Sequence, residues 1–267
     1  MNEFLLNPLT VSLAAMQTFL LVFLRISGMF LRAPLFGSDL FPMKTRAVLS
    51  FCIAIVMFPV VQNAHGHILM TESPGTFLAA CMSEMTLGLV IGFVAQMLLY
   101  GLMMAGHVMD TEMSFSLATV FDPITSQNSS LLSQLVFLGG TVMFFMMDGH
   151  LHVLKGLAFS FERIPLAGAD FSGSVFWWIL TKLAPQIFVI ALVFAAPVMA
   201  GVFLSTVGIA LMARVVPEMN VFAFAFPVRI GVGFIFLDMS MNYLLPVTDR
   251  IVNGTVVQLA QVIGRMS

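Results

Sequence analysis

Long apolar runs separated by short polar links set the predicted elements of this chain. Six runs stand out, and four of them contain no charged residue and have at least the roughly 20 residues that a helix needs to cross the hydrocarbon core of a membrane. In chain order the six are Phe4 to Leu24, Ala47 to Thr71, Met85 to Met109, Leu131 to Met147, Leu183 to Ala213 and Met219 to Leu245. Because they lack the strict apolar/polar alternation of barrel strands, we expect helices. The pattern therefore predicts an all-α, integral-membrane-type protein of about six long hydrophobic segments.

Prolines and a change of pattern mark where these helices break or end. Pro185 and Pro197 divide the fifth segment. Because proline removes a backbone hydrogen bond inside a helix, we expect several segments to be kinked or broken. Thr248 to Ser267 instead repeats apolar residues at helical spacing among polar ones. That spacing predicts a short amphipathic helix at the C-terminal end, which does not span a membrane.

Composition restricts the classes of function. Of the residues, 60% are hydrophobic and 9% are charged, and the mean hydropathy is +1.03, whereas soluble domains carry about 25% charged residues. A soluble enzyme, a nucleic-acid-binding protein and a disordered chain are therefore excluded. The sequence contains no phosphate-binding loop, nucleophile elbow or metal-binding helix motif. We expect membrane lipid as a partner, and no catalytic residue, cofactor, metal ion or nucleic acid.

Charged residues in or beside the apolar runs are candidates for a functional role, because an ion in hydrocarbon is costly unless it is paired or faces water. We expect buried pairs, between helices or between subunits, among six of them: Arg25, Glu84, Asp148, Arg214, Arg229 and Asp238. One interpretation is that such pairs fix helix packing, and another is that they form a path for protons or ions. The sequence does not decide which partners meet.

The stretch from residue 106 to residue 130 differs from every other link. We expect the preceding apolar helix to end near Gly106, after which acidic, small polar and isolated large apolar residues are mixed as far as Asp122-Pro123. Irregular backbone at membrane depth is tolerated only where it is buried in protein or lines a water-filled cavity. The mixture predicts a re-entrant or pore-constricting element, with an ordinary exposed loop as the alternative.

Motifs in a fixed order along nearly the whole chain carry a family resemblance. They are Arg25 with Arg32-Ala33-Pro34-Leu35-Phe36-Gly37, Pro42 and Arg46, then Gly88, Gly92-Phe93 and Gln96, then Gly106 through Asp110, Met113, Ser116 and Ala118 to Asp122-Pro123, then Asp148-Gly149-His150, and finally Arg214-x-x-Pro217-x-x-Asn220-x-Phe222 with Phe226-Pro227. Together they resemble the FliR family of flagellar export-gate proteins and its type III secretion counterparts, the SctT family. The chain departs from the family pattern at Glu112 and Glu218, where glutamine is common, at Ser114, where glycine is common, and at Asp148, where asparagine is common.

The resemblance implies a function, partners and a location. A chain of this family is a subunit of the flagellar type III protein export gate and forms part of the channel for unfolded export substrates. A single copy joins several FliP and FliQ subunits as helical hairpins in one hetero-oligomeric complex, and contact with FlhB is expected. The implied location is the bacterial inner membrane at the flagellar basal body.

The resemblance also implies a division of the chain and a site. Residues 1–176 correspond to a FliP-like part, 177–247 to a FliQ-like hairpin, and 248–267 to the C-terminal amphipathic helix. A loop at 106–122 is the expected plug of the closed pore, with Met113, Phe115 and Leu117 as apolar blockers. The residues assigned to it are Gly106, Asp110, Met113, Ser114, Phe115, Ser116, Leu117, Val120, Phe121, Asp122 and Pro123.

Two other functions remain open at this point. The first is a multi-pass, ion-coupled secondary transporter, in which Glu84, Asp148, Asp238 and the proline-divided fifth segment form the ion site. Transporters usually show paired broken helices in two internal repeats, and this sequence has one proline-rich segment without a counterpart. The second is a structural scaffold in which the 106–122 loop seals nothing.

Overall fold

The computed structural model describes residues 8–34, 42–65, 74–115, 130–169, 171, 173–216, 218 and 220–266, and every regular element in those ranges is helical. The helices are α1 (Pro8–Arg32), α2 (Met43–His65), α3 (Pro74–Glu112), α4 (Leu131–Met146), α5 (Gly149–Arg163), α6 (Gly173–Trp178), a π-helical turn (Ile179–Leu183), α7 (Ala184–Val215) and α8 (Val221–Met266). The prediction of an all-α fold is confirmed.

Several of these helices are long and apolar enough to cross a membrane. Among the described residues there are five such stretches, or six if α4 and α5, which meet at a break, count as one span. The predicted number of hydrophobic segments is therefore confirmed. At a rise of 1.5 Å per residue, the 39 residues of α3 and the 46 residues of α8 extend for about 58 and 69 Å, well beyond a hydrocarbon core of about 30 Å. Each of the two helices must therefore extend out of such a core, even when tilted by about 40°.

The fifth segment is one continuous helical stretch, with a π-helical turn at Ile179–Leu183 just before Pro185. Pro197 lies inside α7, and the helix continues through it to Val215. The expected irregularity is thus present as a π-helical turn beside Pro185, and neither proline breaks the helix.

The C-terminal part of the chain differs from the prediction in one respect. Helix α8 runs without interruption from Val221 to Met266, so residues 248–266 continue a longer helix instead of forming a separate one. The amphipathic pattern is confirmed, because the apolar residues at spacings of three and four are buried: Leu259, Val262, Ile263 and Met266. This stripe packs on α5, where a Cβ at Gly156 would lie 2.8 Å from the Leu259 side chain. Packing of this stripe on α5 gives the last turns of α8 a partner within unit 1.

The chain divides into two compact units that are interleaved along the sequence. Unit 1 consists of residues up to 96 together with 148–181 and 253 onwards, and unit 2 consists of 97–147 and 182–252. Helices α3 and α8 therefore each contribute one part to each unit. The division at 176 and 247 expected from the family resemblance concerns likeness to partner subunits, and it stays a prediction.

Close approach of α1 and α3 forms the core of unit 1. A Cβ at Gly88 would collide with the carbonyl oxygen of Arg25 and lie 2.9 Å from the amide nitrogen of Met29, and a Cβ at Gly92 would lie 2.5 Å from the Met29 carbonyl oxygen. Gly28 faces α3 in the same way, against the Met85 carbonyl. Small residues let helix backbones touch, and Gly28, Gly88 and Gly92 provide this contact between α1 and α3.

We expect Gly88→Ala to lower the stability of the purified protein by about 1–3 kcal/mol, because the new methyl group meets backbone atoms that cannot move aside. Gly139→Ala is the matched control, since it lies inside α4 with no atom within 4 Å of its added Cβ. This control gains helix propensity, up to about 1 kcal/mol. Thermal unfolding in detergent measures both variants, and equal melting temperatures would contradict the packing described here.

Candidate functional site

The predicted site residues that the structure describes fall into two polar clusters, one in each unit. The first, the Arg25 cluster, joins Arg25 and Glu84 to the C-terminal end of α5. The second, the Met113 turn, consists of residues 110–115 at the end of α3 and the facing part of α8. Each cluster lies within one unit, and the two differ in how completely their buried polar atoms are hydrogen-bonded.

A two-point ion pair lies at the centre of the Arg25 cluster. Arg25 Nε donates to Glu84 Oε2 at 2.5 Å and Arg25 Nη2 donates to Glu84 Oε1 at 3.0 Å. Both side chains have 0% exposure. Such bidentate, charge-assisted bonds are the strong kind, and burying either ion alone would be highly unfavourable.

The remaining groups of this pair are also satisfied. Arg25 Nη1 donates to the carbonyl oxygens of Ser160 and Ile164 at 3.1 and 3.2 Å, and its guanidinium lies 4.4 Å from the centre of the Phe161 ring. The two carbonyls lie at the end of α5, where the helix dipole favours a cation. On the other side, the amide of Ala167 donates to Glu84 Oε1 at 2.7 Å. With every charged group engaged, this geometry favours the interpretation that the pair fixes helix packing.

Three of the other predicted charges form no ion pair among the residues that the structure describes. Asp148, Arg214 and Asp238 are exposed, so the expectation of burial does not hold for these three within the single chain. Asp148 lies in the left-handed region (φ 54°) just before α5, and Arg214 is in the last turn of α7, where the helix dipole stabilises a cation next to water. Pairing of these residues with other subunits stays a prediction.

Helix α3 continues past Gly106 and ends at Glu112, so the predicted helix end is wrong by about two turns. Gly106 is a packing position inside the helix, because a Cβ there would lie 2.5 Å from the Cα of Ser133 on α4. Ser133 Oγ in turn donates to the Met103 carbonyl oxygen at 3.0 Å. Close helix contact, instead of chain reversal, is the physical reason for glycine at this position.

A tight turn follows the end of α3. The amide of Ser114 donates to the Thr111 carbonyl at 3.1 Å, and the amide of Phe115 donates to the Asp110 carbonyl at 3.0 Å. This closure places Ser114 in the left-handed region, with φ 66°. A non-glycine residue there costs about 1–3 kcal/mol unless its surroundings hold it.

One face of α8 holds this turn. Arg229 Nη1 donates to Ser114 Oγ at 3.3 Å. The Met113 side chain, with 0% exposure, fills the space over Gly233, where an added Cβ would lie 2.6 Å from the Met113 sulfur. The Phe115 ring meets Phe234 edge to face, with ring centres 6.0 Å apart.

Two buried polar atoms of the cluster have no hydrogen-bond partner in the described part of the chain. They are Asp110 Oδ1, on a side chain only 6% exposed, and Arg229 Nε. Buried polar groups are almost always hydrogen-bonded, so this cluster is polar and incomplete, whereas the Arg25 cluster is complete. The sequence identified Arg229 as a charge in an apolar run, but not its position at the Met113 turn.

The rest of the predicted plug lies outside the described residues: Ser116, Leu117, Val120, Phe121, Asp122 and Pro123. Gly233 and Phe234 were not assigned to a site from the sequence. Gly233, one helical turn after Arg229, was the available signal, because a glycine in a long apolar helix often marks close contact. No group of three or more His, Cys, Asp or Glu side chains in the described ranges could hold a metal ion.

The helices and the two clusters define an integral membrane protein of the all-helical kind. The family follows from comparison with known proteins: the chain belongs to the bacterial export proteins, family 1, whose family model matches residues 16–255. It is 31% identical to the flagellar biosynthetic protein FliR of Bacillus subtilis (strain 168) over 240 residues, which cover 89% of this chain and 91% of that protein.

More distant relatives include a second flagellar protein and a protein of Yop translocation. The FliR protein of Escherichia coli (strain K12) is 22% identical over 91% of each chain. Yop proteins translocation protein T of Yersinia pestis is 28% identical over 186 residues, covering 69% of this chain and 70% of that protein. The chain is thus a component of the flagellar and type III protein export system, and its membrane-capable helices indicate the inner membrane.

Removing one partner of the buried ion pair, by Arg25→Met or Glu84→Gln, is expected to destabilise the protein by about 3–5 kcal/mol, because the other ion is left buried without compensation. The double variant Arg25→Met with Glu84→Leu removes both ions and is expected to recover most of that loss. Thermal unfolding in detergent is the measurement, with the exposed Arg163→Met as control. A double variant less stable than both single variants would contradict this account.

Proposed function

We propose that this chain is a subunit of the flagellar type III protein export gate, that it forms part of the channel for unfolded substrates, and that the part of its 106–122 segment that follows α3 plugs the closed pore. In this proposal one copy assembles with FliP and FliQ subunits and contacts FlhB, in the inner membrane at the flagellar basal body. Residues 1–176 and 177–247 take the FliP-like and FliQ-like positions. Membership of the export family supports the assignment to an export apparatus, and the plug is our extension of it.

The Met113 turn is the observation that supports the plug most directly. An apolar helix ends at Glu112, and the chain then turns against α8, which contacts it through one hydrogen bond and two apolar contacts. A pore that carries unfolded chains needs a closure that excludes water and ions at rest, which apolar side chains achieve by keeping a constriction dry. A segment anchored at its first turn and rich in isolated apolar residues fits that requirement.

The structure changes the role that we assign to Met113. Its side chain is buried against Gly233, so we assign it to anchoring the plug and not to blocking the channel. Phe115 is only partly buried and keeps the role of a blocker, together with Leu117. Opening then requires that substrate and neighbouring subunits favour a conformation in which the segment has left the channel.

The transporter alternative receives no support from the same contacts. Glu84, one of its three proposed ion-site residues, is fully engaged by Arg25 and the Ala167 amide. Asp148 and Asp238 are exposed and form no pair with it. A coupled ion site requires carboxylates that are available to the ion, and Glu84 is already engaged by the guanidinium and the amide.

Deleting Met113–Leu117 tests the plug. We expect ion leakage across the inner membrane of cells carrying the variant to rise several-fold over the parent, because the apolar closure of the pore is removed. Co-purification with the FliP and FliQ subunits reports whether the complex still assembles.

A milder variant covers the case in which the deletion prevents assembly. Phe115→Ser keeps the chain length and is also expected to leak, whereas Phe176→Ser, at an exposed aromatic residue of unit 1, serves as its matched control. Parental leakage in an assembled complex, for the deletion or for Phe115→Ser, would overturn the plug and favour the scaffold.

A further inference from the structure

We infer that one face of α8, formed by Arg229, Gly233 and Phe234 and here termed the α8 seat, positions the first turn of the plug. The inference rests on the proposed function. It adds to the plug three residues of α8 that lie about 115 positions after the turn in the sequence. All of them lie in unit 2 with the turn that they hold.

Three contacts of different chemistry join the α8 seat to three successive residues. Arg229 binds the Ser114 hydroxyl at 3.3 Å, Gly233 leaves the space that Met113 occupies, and Phe234 meets the Phe115 ring. Positions 229 and 233 are four residues apart and therefore lie on one face of the helix. Position 234 follows directly after 233, at the edge of that face, and its ring reaches Phe115.

The conformation of Ser114 explains why the turn needs support from outside. Its φ of 66° is unfavourable for a serine and persists only where neighbouring groups over-determine it. Within the turn, the Ser114 amide bonds to the Thr111 carbonyl. The Arg229 hydrogen bond to its hydroxyl fixes the same residue from α8.

The choice of arginine at 229 points to the same role. A methionine or leucine there would fill similar volume without leaving a buried Nε unpartnered. Arginine adds the hydrogen bond to Ser114, which neither of those side chains could donate. Arg229 is therefore a positioning residue that acts through Ser114.

Two glycines of α8 supply a matched pair of variants. Gly233→Ala places a methyl group against the Met113 side chain, whereas Gly231→Ala, two residues earlier on the same helix, meets no atom within 4 Å. We expect ion leakage to rise in Gly233→Ala and to stay at the parental level in Gly231→Ala, with FliP and FliQ co-purifying in both. Equal leakage in the two variants would overturn the seat, because the effect would then come from the helix and not from the contact.

Paired substitutions separate positioning from general destabilisation. Met113→Ala leaves a hole over Gly233 and Gly233→Ala overfills the same space, so the double variant is expected to leak less than either single variant. Arg229→Met and Ser114→Ala remove the same hydrogen bond, so their combination is expected to leak no more than the more severe single variant. Additive effects in both pairs would overturn the inference.

A labelling experiment measures position without relying on leakage. In a protein whose native cysteines are replaced (Cys52→Ser and Cys81→Ser), Ser114→Cys introduces a thiol of nearly the same size at a site that is 8% exposed. We expect slow alkylation in the assembled complex, a several-fold faster reaction when Gly233→Ala is added, and no change with Gly231→Ala. Alkylation that is unaffected by Gly233→Ala would overturn the seat.

The two readouts distinguish failure of the inference from failure of the proposed function. If the Met113–Leu117 deletion leaks while the α8 variants neither leak nor alter alkylation, the plug stands and the seat is wrong. If the α8 variants alter alkylation while the assembled deletion does not leak, the seat positions a turn that closes no pore, and the proposed function is wrong.

Discussion

The buried pair of Arg25 and Glu84 is the constraint on which unit 1 depends. Two ions without water are tolerated only when geometry and additional hydrogen bonds replace their hydration, and this requires three parts of the chain to meet. Helix α1 supplies the cation, α3 the carboxylate, and the end of α5 two carbonyl oxygens and the Phe161 ring. Gly28 and Gly88, which bring α1 and α3 into backbone contact beside the pair, are the steric condition for this arrangement.

The two polar clusters illustrate different uses of buried charge. In the Arg25 cluster each charged group is engaged, and a fully satisfied network holds one arrangement firmly. In the Met113 turn, Asp110 Oδ1 and Arg229 Nε lack partners among the described residues, and Ser114 is in an unfavourable conformation. The conformation of this turn therefore depends on the contacts that α8 makes with it.

Hydropathy predicted the helices well and their ends poorly, for a physical reason. The number of apolar segments follows from composition along the chain, whereas the end of α3 and the continuity of α8 depend on tertiary contacts at Ser133 and Gly156. The sequence likewise identified Arg25, Glu84 and Arg229 as unusual charges but could not pair them, because Arg25 and Glu84 lie 59 positions apart and Arg229 and Ser114 lie 115 apart. The mixture of residues at 106–130 predicted a re-entrant or pore-constricting element, and the family resemblance added the expectation that it plugs a pore.

The apolar surface that remains uncovered explains why this sequence has the composition of a multi-span membrane protein. Only 17% of the most apolar window of α2, and of the corresponding window of α8, is buried within the chain, against 67% in α3. Such faces must be covered by lipid or by other protein, and hydropathy cannot distinguish the two because both are apolar. Helices α3 and α8 are also longer than a hydrocarbon core is thick. In a hetero-oligomer the uncovered faces would meet partner helices. The apolar residues that give these helices the composition of membrane spans would then be the residues that pack between subunits.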